Sequence, residues 1–274
     1  MKLRVTTVIK YVIAGMMVLI SIIPFYVLLY LAMNTPSSSM FGGLFLMPDF
    51  HFGNFVDAWN GSKLGRAMIN SIVITLGAVI IVVVVASSTG YAIARFRNWR
   101  HATIFNILLA CLMIPAIIIT VPLYTLMKSI DGINTHWAMI LLTATNALPL
   151  SVFLYTSFIR SLPKEVEESA VMDGCTYFTA FWRVTFHFLR PVTSAVVILT
   201  GLGIWNNYGQ AVFFLQSQEM RTVPLAVSMF FQTYGAKWNL MAATALIGLA
   251  PAVLAFIVFQ RYFIKGITAG ALKG

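Results

Sequence analysis

The placement of charge constrains this chain more than any other feature. After Lys10 the next Asp, Glu, Lys or Arg is Asp49. Comparable charge-free gaps separate Arg66 from Arg95, Arg100 from Lys128, Asp131 from Arg160, Arg190 from Glu219 and Lys237 from Arg261. Each gap leaves more than twenty uncharged residues. A helix rises about 1.5 Å per residue and the hydrocarbon core of a bilayer is about 30 Å thick, so about 20 apolar residues cross it. Only 9% of the 274 residues are charged, against about 25% in a soluble chain. The pattern predicts an all-α integral membrane protein. It forms a single transmembrane domain over 1–274, with six transmembrane helices near 11–33, 68–93, 103–127, 138–158, 190–213 and 241–262.

An even number of spans puts both termini on one side, and the positive-inside rule selects the cytoplasm. The inside segments then carry 13 of the 18 Lys and Arg residues and the outside segments 5. The net charge of +10 is thereby assigned to anchoring against anionic headgroups. No basic run is long enough to neutralise many phosphates, so no nucleic acid partner is expected. The start "MKLRVTTVIK" resembles a signal peptide, but the apolar run after it is long and lacks a small-x-small site, so it reads as a retained span. Cys111 and Cys175 fall in a span and an inside loop, where they read as small apolar residues rather than a disulfide.

The first outside loop, about 34–66, holds the turn sequences Asn34–Ser39, Gly42–Gly43 and Asn60–Ser62 interleaved with Phe50, Phe52, Phe55 and Trp59. Those rings fit an interfacial aromatic belt or an amphipathic element facing an external partner. Pro115, Pro122 and Pro149 lie inside predicted spans. They fit either packing kinks or bends that shape a pathway. Polar residues within spans are sparse. Trp205, Asn206, Asn207, Tyr208 and Gln210 cluster near the outer end of the fifth span, and Asn146 lies in the fourth, with Asn70, Thr75 and Ser151 as further, weaker polar spots. Amides with aromatic faces suit a sugar, whose hydroxyls take hydrogen bonds and whose C–H faces stack on rings. The same residues also serve as polar contacts between helices. No charged residue lies deep in a span, which argues against a proton- or sodium-coupled carrier. Histidines 51, 101, 136 and 187 are scattered, with no metal spacing, no nucleophile motif and no phosphate-binding loop nearby. The chain is expected to be no enzyme, with no metal and no cofactor of its own.

The largest inside connection, 159–189, concentrates four of the eight acidic residues: Glu165, Glu167, Glu168 and Asp173. It reads as helix, turn, helix. Pro163 stands at the first helical position, with carboxylates in the first turns where the helix dipole favours them. Gly174 makes the turn, and a second helix begins at Cys175 with Phe178, Phe181 and Trp182 on one stripe. A short acidic-then-aromatic helix pair on this face reads as a docking element.

The stretch "EESAVMDG" resembles the Glu-Ala-Ala…Gly signature of permease subunits in binding-protein-dependent ABC importers. Glu168, Ser169 and Ala170 occupy the Glu-Ala-Ala positions and Gly174 the glycine, with Ser169 replacing the first alanine and His187 standing where that pattern has proline. "FQRYFIKGITAGALKG", "MINSI" and "GYAIARF" are similar to segments of the smaller permease of maltose-type sugar importers. The resemblance implies the type I ABC importer permease fold in a bacterial cytoplasmic membrane. It implies a second permease subunit, two ATP-binding subunits that hold ATP and Mg, and an external solute-binding protein. It makes Glu168, Ser169, Ala170, Asp173 and Gly174 the ATPase-coupling residues and gives the tail Gly266–Gly274 an ATPase contact. Asn146, Trp205, Asn206, Asn207, Tyr208 and Gln210 are the candidate solute pathway, with an oligosaccharide as the expected cargo. An ABC permease for another solute class and a secondary sugar carrier are the alternatives.

Overall fold

The computed structural model describes residues 2–35, 49–96, 98–232 and 237–271. The turn residues Pro36–Ser39 and Gly42–Gly43, Arg97 and the last three residues of the tail lie outside them. Most of the described residues are helical and none forms a strand. In chain order the helices are α1 (Lys2–Met33), α2 (Gly53–Gly61), α3 (Leu64–Arg95), α4 (Trp99–Cys111), α5 (Ala116–Ser129), α6 (His136–Ser161) and α7 (Glu165–Met172). There follow α8 (Tyr177–Ala180), a π-helical segment Phe181–Thr185, α9 (Phe186–Phe188), α10 (Arg190–Trp205), α11 (Ala211–Phe214), α12 (Val223–Gln232) and α13 (Trp238–Ala271).

Among the described residues, four helices have the length and apolarity of a membrane span, within Thr7–Met33, Leu64–Arg95, His136–Ser161 and Trp238–Val258. The other two charge-free gaps take different forms. The third predicted run is broken between α4 and α5, where Pro115 caps α5 in extended conformation. Pro115 has no N–H to give a preceding helix, and its ring disfavours helical backbone in the residue before it. The fifth run stays helical only to Trp205; α10 is bent by 78° from the Tyr177–Phe188 stretch ahead of it.

The chain divides into two compact units. The first comprises residues 1–65 and 223–250. Its packing uses small residues: Ala32, Ala58, Ala242 and Ala243 form a buried cluster ringed by Leu28, Leu31, Phe55 and Leu246. Small side chains let helices approach closely in a membrane, where burial from water drives nothing. Asn54, buried in α2, ties the cluster together. Its Nδ2 donates to the carbonyls of Ala32 and Asn34 at 2.9 and 2.8 Å, and its Oδ1 accepts from Asn239 Nδ2 at 2.8 Å. Asn54→Leu keeps the volume but strips partners from two carbonyls and one amide. With about 1–3 kcal/mol per buried polar group left unpaired, it is expected to lower the thermal midpoint of the purified chain by several degrees. An unchanged midpoint in detergent would show that these bonds are exchanged for water at no cost.

The second unit comprises 66–222 and 251–274. Here α3 crosses α6 with its Gly77 opposite Ile140 and its Gly90 against Tyr155 and Thr156. Tyr155, fully buried, donates its hydroxyl to Thr193 on α10 at 2.9 Å, and α4 meets α6 through the stacked rings of Phe105 and Phe153. The lipid-sized apolar surface is extensive: Ile69, Leu76, Ile80, Ile117, Ile118, Val121 and Leu254 are all more than half exposed. Such a surface is normal for helices whose surroundings are hydrocarbon rather than water.

Candidate functional site

The acidic connection 159–189 is built from strong local signals. Leu162 is extended ahead of Pro163, as a residue before proline should be. The first helix starts two residues later than the sequence suggested, at Glu165, with Lys164 as its cap and the Lys164 carbonyl accepting from the Glu167 and Glu168 amides. α7 closes with a paired turn: the Gly174 amide donates to the Val171 carbonyl and the Cys175 amide to the Ala170 carbonyl, each at 3.0 Å. This is the Schellman arrangement, which requires left-handed backbone at its glycine. Gly174 has φ +90°, and open space surrounds its missing Cβ, so the requirement there is conformational rather than steric.

One carboxylate of the cluster behaves unlike the rest. Glu165, Glu168 and Asp173 are exposed, whereas Glu167 is 7% exposed. Arg95, at the end of α3, meets it with Nη2 at 2.7 Å from Oε1 and Nε at 2.9 and 3.0 Å from the two oxygens. Tyr91 donates its hydroxyl to Oε2 at 3.1 Å, and Arg95 Nη2 also donates to the Leu162 carbonyl at 3.3 Å. A forked guanidinium on a carboxylate fixes direction as well as distance. α7 is therefore clamped to α3 by a buried, fully engaged ion pair. The sequence reading singled out Glu168 through the resemblance and gave Glu165 and Glu167 no separate role. The distinguishing signal is helical spacing: Glu167 shares a face with Ala170 and Val171, the partly buried residues three and four positions on.

The second helix departs from expectation. It starts at Tyr177, where the Thr176 hydroxyl accepts the Thr179 amide at 3.2 Å, and widens into a π turn at Phe181–Thr185. The three rings of the predicted stripe meet, Phe178 and Phe181 each against Trp182, but they differ in burial. Phe181 is buried with its ring 4.7 Å from that of Tyr91, while Phe178 remains 74% exposed and Trp182 lies between. α7 thus presents Glu168, Ser169, Met172 and Asp173 outward, and α8 adds Tyr177 and Phe178. Ala170 is half-buried behind them.

The predicted solute residues separate into groups. Asn146 and Asn207 line one cavity of about 300 Å³ together with Thr143, Ser151 and Thr200. Asn207 and buried Gln210 lock each other: Asn207 Nδ2 donates to Gln210 Oε1 and the Gln210 amide to Asn207 Oδ1, both at 3.0 Å. The Asn206 amide turns back to the Leu202 carbonyl, and Tyr208 is exposed. Trp205 is buried and lines a different, apolar cavity bounded by α3, α10 and the Pro251–Phe256 part of α13. Sequence reasoning underrated Asn70, which donates to the carbonyls of Glu219 and Arg221, both at 2.9 Å, and meets His136 Nε2 at 2.9 Å. It pins the connection after α11 to the start of α3. Among the described residues no group of three His, Cys, Asp or Glu could hold a metal.

These features match known proteins. Residues 83–269 match the family described as the binding-protein-dependent transport system inner membrane component. The chain is 35% identical over 254 residues to the melibiose/raffinose/stachyose import permease MelC of Bacillus subtilis, covering 92% of this chain and 91% of that one. It is 34% identical over 205 residues to the arabinooligosaccharide permease AraQ of Halalkalibacterium halodurans, covering 75% and 73%. A crystal structure of a bacterial ABC transporter involved in alginate import superposes with a TM-score of 0.80 at 17% identity, covering 95% of this chain and 97% of that one. The fold is that of an ABC importer permease. The chain belongs to the binding-protein-dependent inner membrane permease family, as a multi-pass protein of the bacterial cytoplasmic membrane and a transport subunit rather than an enzyme.

Proposed function

We propose that this chain is one of two permease subunits of an ATP-driven sugar importer, with oligosaccharides as its cargo. Residues 1–274 act as one permease domain of six spans, with both termini in the cytoplasm, and supply half of the translocation pathway. The loop around α7 seats in a cleft of a separate ATP-binding subunit. Closure of two such subunits on ATP and Mg moves the loops and rocks the spans between inward- and outward-facing states. An external binding protein delivers the solute, and the Asn146–Asn207 cavity belongs to its path. The cargo class is supported by relatives named for melibiose, raffinose, stachyose and arabinooligosaccharides.

The observation that carries the coupling role is the two-sidedness of α7. Its inner face is clamped through Glu167 to Arg95, and its outer face offers Glu168, Ser169, Met172 and Asp173 to a partner. Truncating one member of a buried charged contact at an interface costs about 2–5 kcal/mol. Glu168→Ala is therefore expected to reduce co-purification of the ATP-binding subunit and ATP-dependent raffinose uptake into proteoliposomes, with membrane insertion unchanged. Full uptake and full co-purification in this variant would remove Glu168 from the interface. Uptake that persists without ATP and collapses with a protonophore would instead establish a secondary carrier.

A further inference from the structure

Away from α7, a cavity of about 350 Å³ opens where the start of α4 meets the last turn of α6. Phe96, Asn98, Trp99, His101 and Arg160 line it. No carboxylate does, and Arg160 has no carboxylate partner among the described residues. Its guanidinium rests instead over the Phe105 ring, 5.2 Å from the centroid. His101 Nδ1 is buried without a hydrogen-bond partner. Asn98 cannot supply one readily, because its Oδ1 already accepts the His101 backbone amide at 2.9 Å as the cap of α4. At the rim, Trp99 is 73% exposed with Arg100 5.7 Å above its ring, the amphipathic pairing found at membrane–water boundaries.

The cavity continues into apolar surface. Phe153 stands two helical turns before Arg160 on the same face of α6, and its ring stacks on Phe105 at 6.3 Å. Phe153 and Leu150, one turn further from Arg160, are both exposed. The two ends have different chemistry. One offers a guanidinium without a carboxylate partner and an unpartnered imidazole nitrogen, groups suited to the oxygens of a phosphate. The other offers rings and a leucine side chain. A free anion would satisfy only the first and a neutral acyl chain only the second.

We propose that this cavity binds an anionic phospholipid, its headgroup phosphate between His101 and Arg160 and an acyl chain along Phe105 and Phe153. Basic pockets beside apolar helix faces hold such headgroups against exchange with bulk lipid. The proposal requires only the membrane location and stands whether or not the transport reading does.

The test uses the full chain purified with its co-expressed partner subunits from a mixture of dioleoyl phosphatidylglycerol and dioleoyl phosphatidylcholine, with retained lipid counted by native mass spectrometry. The wild type is expected to retain phosphatidylglycerol over phosphatidylcholine by about tenfold, and Arg160→Gln to lose most of that preference, as for removal of a charge-assisted contact. Arg160 is exposed, so Arg160→Gln leaves the core intact; Phe153→Leu, which removes the ring but keeps an apolar packing partner for Phe105, should lower retention of both lipids. Arg190→Gln, which removes one positive charge elsewhere, should change nothing. Equal losses in Arg160→Gln and Arg190→Gln would reduce the effect to diffuse surface charge and overturn the site. Millimolar inorganic phosphate should leave the lipid bound; complete displacement would reassign the cavity to a soluble anion and overturn the lipid.

Discussion

Glu167→Gln is expected to be among the most damaging single changes in the chain, although Glu167 lies in a short loop helix. The substitution preserves shape but leaves the Arg95 guanidinium buried opposite a neutral amide, with the Tyr91 hydroxyl left to donate to a weaker acceptor. Breaking a buried pair from one side costs about 3–5 kcal/mol, because the remaining charge stays out of water. The loss should appear as a thermal midpoint well below that of Glu168→Gln, whose side chain is exposed. A double variant separates pairing from mere burial. Arg95→Met with Glu167→Leu removes both charges and fills similar volume, an exchange that is often neutral or stabilising. The double variant should therefore recover most of the stability, with a coupling energy far above the few tenths expected of independent sites. Additive losses in the two single variants would show that the ion pair contributes nothing as a pair.

That contrast between adjacent glutamates marks the limit of the sequence reading. Charge-free gaps located the long helices because hydrocarbon thickness leaves little choice about where charge can sit. Four long apolar helices each cover most or all of a predicted run for this reason. The Schellman turn at Gly174 was equally legible, since it is a local requirement met by one residue type. What escaped was set by contacts remote in sequence. The partner of Glu167 lies 72 positions away, and nothing local in Arg95 marks it as buried rather than interfacial. Asn70 was visible only as a polar spot, because its partners are backbone carbonyls of residues 219 and 221, and backbone groups carry no sequence signal.

The aromatic stripe was legible as a stripe, since the rings of Phe178 and Phe181 both meet Trp182. Its depth was not: an i, i+3, i+4 pattern places residues on one face, and Phe181 turns inward against Tyr91 at one edge of that face while Phe178 stays out. The helix then widens into the π segment Phe181–Thr185, which the spacing did not announce. Such single-turn widenings are common at functional positions. The solute cluster shows a similar effect on a smaller scale. Consecutive residues after the end of α10 cannot share one face, so Trp205 and Asn207 line different cavities, while Asn146, 61 positions before Asn207, joins the latter.

Gly90→Ala should destabilise the chain far more than Gly77→Ala, although both glycines lie on α3 facing α6. In an ordinary helix position, exchanging glycine for alanine gains up to about 1 kcal/mol through propensity. At Gly77 the added methyl would lie 2.8 Å from Ile140 Cδ1, the far end of a flexible side chain that can rotate away. The small clash left after that rotation and the propensity gain should nearly cancel. At Gly90 the same methyl would lie 2.8 Å from Tyr155 Cβ and 3.1 Å from the Thr156 backbone nitrogen. Neither atom moves without shifting α6 itself. Tyr155 is fully buried and its hydroxyl is committed to Thr193, so a displaced α6 also strains its contact with α10. Overpacking against immobile neighbours costs about 1–3 kcal/mol and sometimes more. Thermal unfolding of the two purified variants should place Gly77→Ala close to the wild type and Gly90→Ala several degrees below it. Coincident midpoints would mean that α3 and α6 separate freely at this crossing, and the close approach at Gly90 would then hold nothing in place.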